Sequence, residues 1–200
     1  MNFDEFTYFY PEKPILISKD QELFTKLSDN PDWIAERKYN GSRLVLHYFN
    51  NKFQFWNRHN EKFSFNPDKA ILDILHSLPL KGYCVFDGEL RNNKVTGIKQ
   101  KLMLWDTILW DGELLNDVTF SERHKIIQDI LPEDGDPIGW PHQFESKFNN
   151  VFEEVISDKE IEGLVMKKLS GKLGVSRKTN QDSRWMYKVR RPHEGGNYKF

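Results

Sequence analysis

Short runs of apolar and aromatic residues, separated by turn-forming ones, recur along the chain. Trp33 to Tyr39, Arg43 to Phe49 and Phe53 to Trp56 are such runs, and Asn50-Asn51 predicts a turn between the last two. Tyr83 to Arg91 and Gln100 to Trp110 predict two more strands, the second ending at an Asp111-Gly112 turn. Ile161 to Lys168 and Arg184 to Arg191 predict a closing pair. In the last of these, Tyr187 and Val189 fall on one face and Lys188 and Arg190 on the other.

Four segments carry helical signals instead. Ser18-Lys19-Asp20-Gln21 reads as a capping box opening a short helix with Leu23, Phe24 and Leu27 inward. Asn66-Pro67 starts a helix with Ile71, Ile74, Leu75 and Leu78 on one face. Ser121 caps a helix through Leu131, and Phe148, Val151, Phe152, Val155 and Ile156 have helical spacing up to about Ser157. Pro132 to Pro141, with three prolines and two glycines, predicts a loop. Hairpin-linked strands with interspersed helices predict an α+β fold around antiparallel sheets. At roughly one to two hundred residues per domain, residues 1–200 fit a single domain.

Composition narrows the function classes. Hydrophobic residues at 38% and charged residues at 30% supply a core and argue against disorder. A single cysteine, Cys84, excludes a disulfide framework and a multi-cysteine zinc site, and points to a reducing compartment. The first residues, MNFDEFTYFYPEK, carry acids where a signal peptide has bases. No apolar run approaches the length of a membrane span. The expected location is therefore intracellular, cytoplasmic or nucleoid-associated, with a virus-encoded source also open. Net charge is −1, yet residues 159–200 carry 11 Lys and Arg against 4 Asp and Glu. A basic end on an acidic body suits a phosphate or nucleic-acid partner.

The familiar phosphate, dinucleotide, zinc-protease and serine-hydrolase motifs are missing, and the six histidines show no metal-ligand spacing. Catalysis then rests on Lys, Arg, Asp and Glu. Lys38-Tyr39-Asn40-Gly41-Ser42-Arg43 joins two predicted strands and brings a lysine and an arginine near one point. KxxG alone is weak, since Lys94 to Gly97 and Lys168 to Gly171 also match. Only the first is followed by arginine two residues on, a match expected by chance about 0.04 times at average composition. Phe86-Asp87-Gly88-Glu89-Leu90 sets two carboxylates among apolar neighbours; in isolation they read as a turn aspartate and a solvent-facing glutamate. Glu162 and Lys167 lie five apart, which on a regular strand means opposite faces unless the chain bends at Gly163.

The ordered set resembles the covalent nucleotidyltransferase superfamily, and most closely the ATP-dependent DNA ligases. KYNGSR is similar to the family's nucleophile motif, FDGEL to its third motif and LMLWDTILWDGE to the aromatic-Asp motif that follows. EGLVMK and WMYKVR resemble the fourth and fifth, and Asn57-Arg58-His59 the short arginine motif. The resemblance runs from about Pro14 to Pro192. Asn40 stands where aspartate is usual, and Arg190 where lysine is usual.

The resemblance implies an ATP-grasp-like nucleotidyltransferase domain of two antiparallel sheets flanked by helices, with the nucleotide in the groove between them. It implies attack of Lys38 on the α-phosphorus of ATP, transfer of AMP to a 5′-phosphate, and attack of a 3′-hydroxyl. The attacking amine must be neutral, whereas free lysine has a pKa of about 10.4; Arg43, Lys167 and Lys188 are the implied cationic neighbours. Lys167 and Lys188 are implied to hold the α-phosphate, and Glu89 and Glu162 the ribose and Mg²⁺. Trp105 and Val165 are implied to sandwich the adenine and Glu36 to read its amino group. Arg58 is implied to reach the ribose or an end phosphate, and Arg190 a nucleotide phosphate. The implied partner is nicked duplex DNA. Family ligases follow the last motif with an oligonucleotide-binding barrel, and Pro192 to Phe200 are too few to form one, so a barrel-bearing protein partner is expected. RNA ligase, mRNA-capping guanylyltransferase and a catalytically dead nucleic-acid-binding module are the rival readings. The NAD-dependent ligases are disfavoured, because only 37 residues precede Lys38.

Overall fold

The computed structural model describes residues 3, 6, 8–63, 66–91, 100–174 and 176–191. The KxxG segment Lys94–Gly97 and the tail 192–200 lie outside them. In chain order the elements are β1 (Lys13–Leu16), α1 (Glu22–Ser28), β2 (Trp33–Tyr39), β3 (Ser42–Phe49), β4 (Lys52–Asn57), α2 (Lys69–Ser77), β5 (Cys84–Arg91), β6 (Lys101–Trp110), β7 (Glu113–Leu114), α3 (Phe120–Ile130), β8 (Ile138–Gly139), β9 (Gln143–Phe144), α4 (Phe148–Val155), β10 (Ile161–Lys168) and β11 (Asp182–Arg190).

The strands form two sheets, ordered β1-β11-β10-β2-β9 and β4-β3-β5-β6-β7. This is an α+β fold of mostly antiparallel sheets. The exceptions are β1, which pairs parallel to β11, and β8, which pairs parallel to β6. The first sheet buries Ala35, Tyr39, Leu164, Met166 and Val189 against Phe24 and Leu27 of α1 and Phe148, Phe152 and Val155 of α4. Each large side chain so buried contributes about 1.5–3 kcal/mol. The second sheet buries Leu44, Leu46, Phe86, Leu90, Leu102 and Leu104 beneath α2 and α3. Tyr8, with Phe3 and Phe6 beside it, covers part of that sheet's other face, over Val45 and Val85.

The helix starts differ from expectation. Gln21 is the N-cap of α1, with no side-chain cap bond, and Leu23 is 36% exposed rather than inward. The Ser18 hydroxyl is taken up locally, accepting from Asp20 N. Helix α2 begins after Asp68, two residues beyond the proline. Helix α3 is capped by Thr119 and not by Ser121: Thr119 accepts from Glu122 N while the Glu122 carboxylate accepts from Thr119 N, a reciprocal box. The proline-rich loop contributes the two-residue β8, because Leu102 N finds its acceptor at Pro137 O.

Helix α3 also ties the sheets together. Arg123, fully buried, holds Asp106 of β6 through Nε at 2.8 Å and Nη2 at 2.9 Å. Its Nη1 donates to Val118 O and to Gly171 O in the turn after β10. Phe120 N donates to the same Gly171 carbonyl, and Ser121 N to Leu169 O. Two amides at the start of the helix are thus satisfied by the first sheet's turn rather than by water.

Candidate active site

Strand β2 belongs to the first sheet and β3 to the second, so Asn40-Gly41 is the crossing between them. Gly41 is needed there for close approach: a Cβ on it would lie 2.6 Å from Glu89 Cγ and 2.7 Å from Leu90 O. The motif lysine therefore ends one sheet, and its arginine begins the next.

Register places the basic and acidic motif residues on one face. Lys38 pairs with Gly163, Glu36 with Val165 and Ile34 with Lys167. Across β10, Gly163 pairs with Arg190, Val165 with Lys188 and Lys167 with Met186. Directly opposed residues share a face, so Glu36, Lys38, Val165, Lys167, Lys188 and Arg190 look the same way. Phe120 of α3 packs with Ile34 and Met186 and closes one end of this face. Tyr187 and Val189 point to the core, as alternation predicts.

Glu162 joins the group by a local irregularity. The β2–β10 register shifts between Ile161 and Gly163. Gly163 has φ +151°, and a Cβ on it would lie 2.0 Å from Val189 O. The bend anticipated at Gly163 is thus present. The Glu162 carboxylate is hydrogen-bonded to Lys38 Nζ and lies 3.7 Å from Arg190 Nε.

Deeper on the face, Lys167 Nζ is 2.6 Å from Glu36 Oε2, with both side chains 3% exposed. Gln143 of β9 donates to Glu36 Oε1 at 2.9 Å. Lys167 Nζ also lies 5.8 Å from the Trp105 ring centroid and 4.7 Å from that of Phe120. Trp105 carries the second sheet to this point. Its indole donates to Asp87 Oδ2 at 2.8 Å, and Asp87 is gripped by Arg43 through Nε at 2.8 Å and Nη2 at 2.5 Å. His124 Nδ1 sits 3.1 Å from Trp105 O, and burial pushes that imidazole's pKa down.

Among the described residues, Lys188 is the cation of this face that makes no ion pair, though Asp182 acts on it from a distance. Burial, then Arg190, Lys38 and Lys13, lower its pKa to about 8. Cations crowded this closely define a site for an anion.

The structure thus gathers Glu36, Lys38, Glu162, Val165, Lys167, Lys188 and Arg190 on one sheet, with Arg43, Glu89 and Trp105 on the adjacent strands β3, β5 and β6 of the other. Arg58 is apart: it is exposed in the turn after β4, and its Nε bonds to His59 Nε2 at 3.1 Å. Asp87 and Glu89 are neither turn nor solvent-facing residues, since both lie inside β5 at 4% and 9% exposure. Asp87 and Gln143 were missed. The apolar run before Asp87 was the available signal for the first; Gln143 has none.

Among the described residues, no cluster of three or more His, Cys, Asp or Glu is built to hold a metal ion. The carboxylates present suit Mg²⁺, which takes one or two of them and fills its shell with water and phosphate oxygens. Nor is any helix among these residues long and apolar enough to cross a membrane. A cavity of about 450 Å³ borders the opposite face of β2, and two ion pairs span its lining, Arg37 with Asp134 and Arg91 with Glu160.

No family model matches the sequence, and no curated protein matches it either. Solved structures do. The ligase domain from M. tuberculosis LigD superposes with a TM-score of 0.66 at 14% identity, over 95% of this chain and 61% of that one. A mycobacterial DNA ligase D complexed with ATP gives 0.64 at 13%, over 89% and 60%. The ATP-dependent DNA ligase from bacteriophage T7, complexed with ATP, gives 0.60 at 15%, over 90% and 68%. The chain spans about three-fifths of the length of the two mycobacterial chains. The chain has the fold of the nucleotidyltransferase domains of ATP-dependent DNA ligases.

Proposed function

We propose that this chain is an ATP-dependent, ligase-type nucleotidyltransferase that carries AMP on Lys38 and joins polynucleotide ends, DNA rather than RNA. One observation supports this above the others. Lys38 stands on a sheet face with Lys167, Lys188 and Arg190, which suits an amine attacking a polyphosphate.

In the first step a bond forms between Lys38 Nζ and the α-phosphorus, and the bond to the β-phosphate oxygen breaks. Pyrophosphate carries away that electron pair. The ammonium must lose one proton before it attacks, for which Glu162, bonded to Nζ, is our candidate acceptor, and the second leaves to solvent once the N–P bond has formed. Lys188 and Lys167 hold the α-phosphate oxygens as charge builds. Glu89 and Glu162 would hold Mg²⁺, which when bound neutralises phosphate charge. AMP then passes to a 5′-phosphate, and a 3′-hydroxyl displaces it.

Trp105 and Val165 are the proposed adenine sandwich, with Glu36 reading the amino group. Both Glu36 oxygens already accept one bond, from Lys167 and Gln143, and each carboxylate oxygen has room for a second. ATP is expected to label the protein at least tenfold better than GTP, because a guanine carbonyl oxygen opposite Glu36 forfeits a charged hydrogen bond of about 1.5–3 kcal/mol.

The test is label transfer. Protein incubated with α-labelled ATP and Mg²⁺ keeps its label through denaturing electrophoresis, and Lys38→Ala loses it with an unchanged circular dichroism spectrum. Wild-type labelling of Lys38→Ala would remove the nucleophile assignment; no labelling of the wild type would leave a binding module. Sealing of matched nicked DNA and RNA duplexes then decides the polymer.

A further inference from the structure

A second cavity, about 360 Å³ in volume, opens on the second sheet beside Tyr8. Phe6, Tyr8, His47, Trp56, Asn60 and Lys62 are the side chains that give it character. Its walls are aromatic faces: Phe6 stands edge-on to His47 at 4.5 Å, and His47 lies 5.8 Å from Trp56. Lys62 Nζ sits 5.5 Å from the Trp56 ring centroid. Two ring nitrogens here are buried without a hydrogen-bond partner, His47 Nε2 and Trp56 Nε1. His47 is 1% exposed and uses its other nitrogen toward Tyr83 Oη at 3.0 Å. Such orphaned polar atoms are costly unless a ligand or water meets them.

His47, Val45 and Arg43 follow one another along one face of β3, so the cavity lies on the side of the sheet that carries the Arg43–Asp87 pair. Tyr8 Oη donates to Asn57 O at 2.8 Å, in the segment that leads into the Arg58 turn. Burial pushes the Tyr8 phenol's pKa up; Asp87 adds to this and Arg43 opposes it. Cations also border the same N-terminal segment, with Arg177 5.5 Å from the Phe9 ring centroid. Aromatic faces interleaved with Lys and Arg are the means by which proteins hold single strands without reading sequence.

We propose that this cavity receives an unpaired nucleobase of a polynucleotide strand. The base stacks among the aromatic rings, its edge atoms meet His47 Nε2 and Trp56 Nε1, and Lys62 and Arg58 take the flanking phosphates. The purpose, holding a frayed or overhanging end beside the strand break, rests on the ligation reading. The binding does not, and it is measured without ATP or Mg²⁺.

The experiment is fluorescence anisotropy with a labelled oligothymidylate of about twelve nucleotides, an abasic strand of equal length and a blunt duplex. The abasic strand has the charge without the bases. Oligothymidylate is expected to bind at least about tenfold tighter than the abasic strand, and Trp56→Ala to lose at least about fivefold of that affinity. Lys62→Glu, an exposed change that spares the packing, should weaken both strands. Self-labelling with ATP should be unchanged in both variants. Equal binding of abasic and thymidylate strands, a preference for the duplex, or full affinity in a folded Trp56→Ala would each overturn the proposal. If Trp56→Ala does not fold, the abasic comparison on the wild type decides it.

Discussion

At the scale of single residues, Lys188 offers the sharpest test of the anion site. Its pKa of about 8 means that it is charged below that pH and neutral above it. Phosphate binding that depends on its charge is therefore present at low pH and fades as pH rises through about 8. ATP affinity measured from about pH 6.5 to 9.5 should fall on the alkaline side. Lys188→Arg should flatten that limb, because guanidinium stays charged throughout. A wild-type profile as flat as the variant's would show that Lys188 does not touch the nucleotide. Gly163 is the other residue of consequence. Alanine there must adopt φ +151° and place Cβ 2.0 Å from Val189 O. Gly163→Ala should cost about 1–3 kcal/mol in a urea melt and should lower self-labelling by moving Glu162 off Lys38.

Among the elements, α3 matters beyond its hydrophobic face. Its Arg123 is paired with Asp106 at 0% and 5% side-chain exposure and also bonds two backbone carbonyls. Removing one member of a buried pair strands the other charge, typically at about 3–5 kcal/mol. Arg123→Met should lower stability by that amount in denaturant titrations. Asp106→Asn with Arg123→Met should recover part of the loss, since neither charge is then left alone. No recovery would mean that the carbonyl contacts, and not the ion pair, hold the helix. The same element explains why Lys167 is buried yet charge-compatible: Phe120 covers its ammonium while Glu36 pairs with it.

For the whole molecule, charge distribution governs how a polyanion is held. The basic segment 159–191 supplies β10, β11 and the turns around them, whereas the body is acidic. Binding through phosphate contacts weakens as salt rises, with a slope set by the number of phosphates neutralised. On the ligation reading, sealing of nicked duplex by the 200-residue chain should lose most of its rate between about 50 and 200 mM salt. Sealing at 200 mM as fast as at 50 mM would mean that phosphate contacts do not limit how the substrate is held.

Much of this was legible in the chain before any coordinates. The strands Trp33–Tyr39 and Ile161–Lys168 and the side alternation of Lys188 and Arg190 follow from local backbone geometry, which a short window of sequence expresses. The ordered motifs carry Lys38, Lys167, Lys188 and Arg190, which the two strand pairings bring to one sheet face. Other features depended on which distant segments meet. Lys38 and Glu162 are bonded across 124 positions, Gln143 reaches Glu36 across 107, and Arg123 clamps a turn 48 residues away. Asp87 became a buried partner of Arg43 and Trp105 only when three strands set their register. The Thr119 cap displaced Ser121 because the turn after β10 claims the Ser121 amide. Register, bulges and buried polar pairs are settled by packing of one sheet against its helices and its neighbour. That packing is a non-local balance which no local pattern encodes, and in this protein it decides what surrounds Lys38.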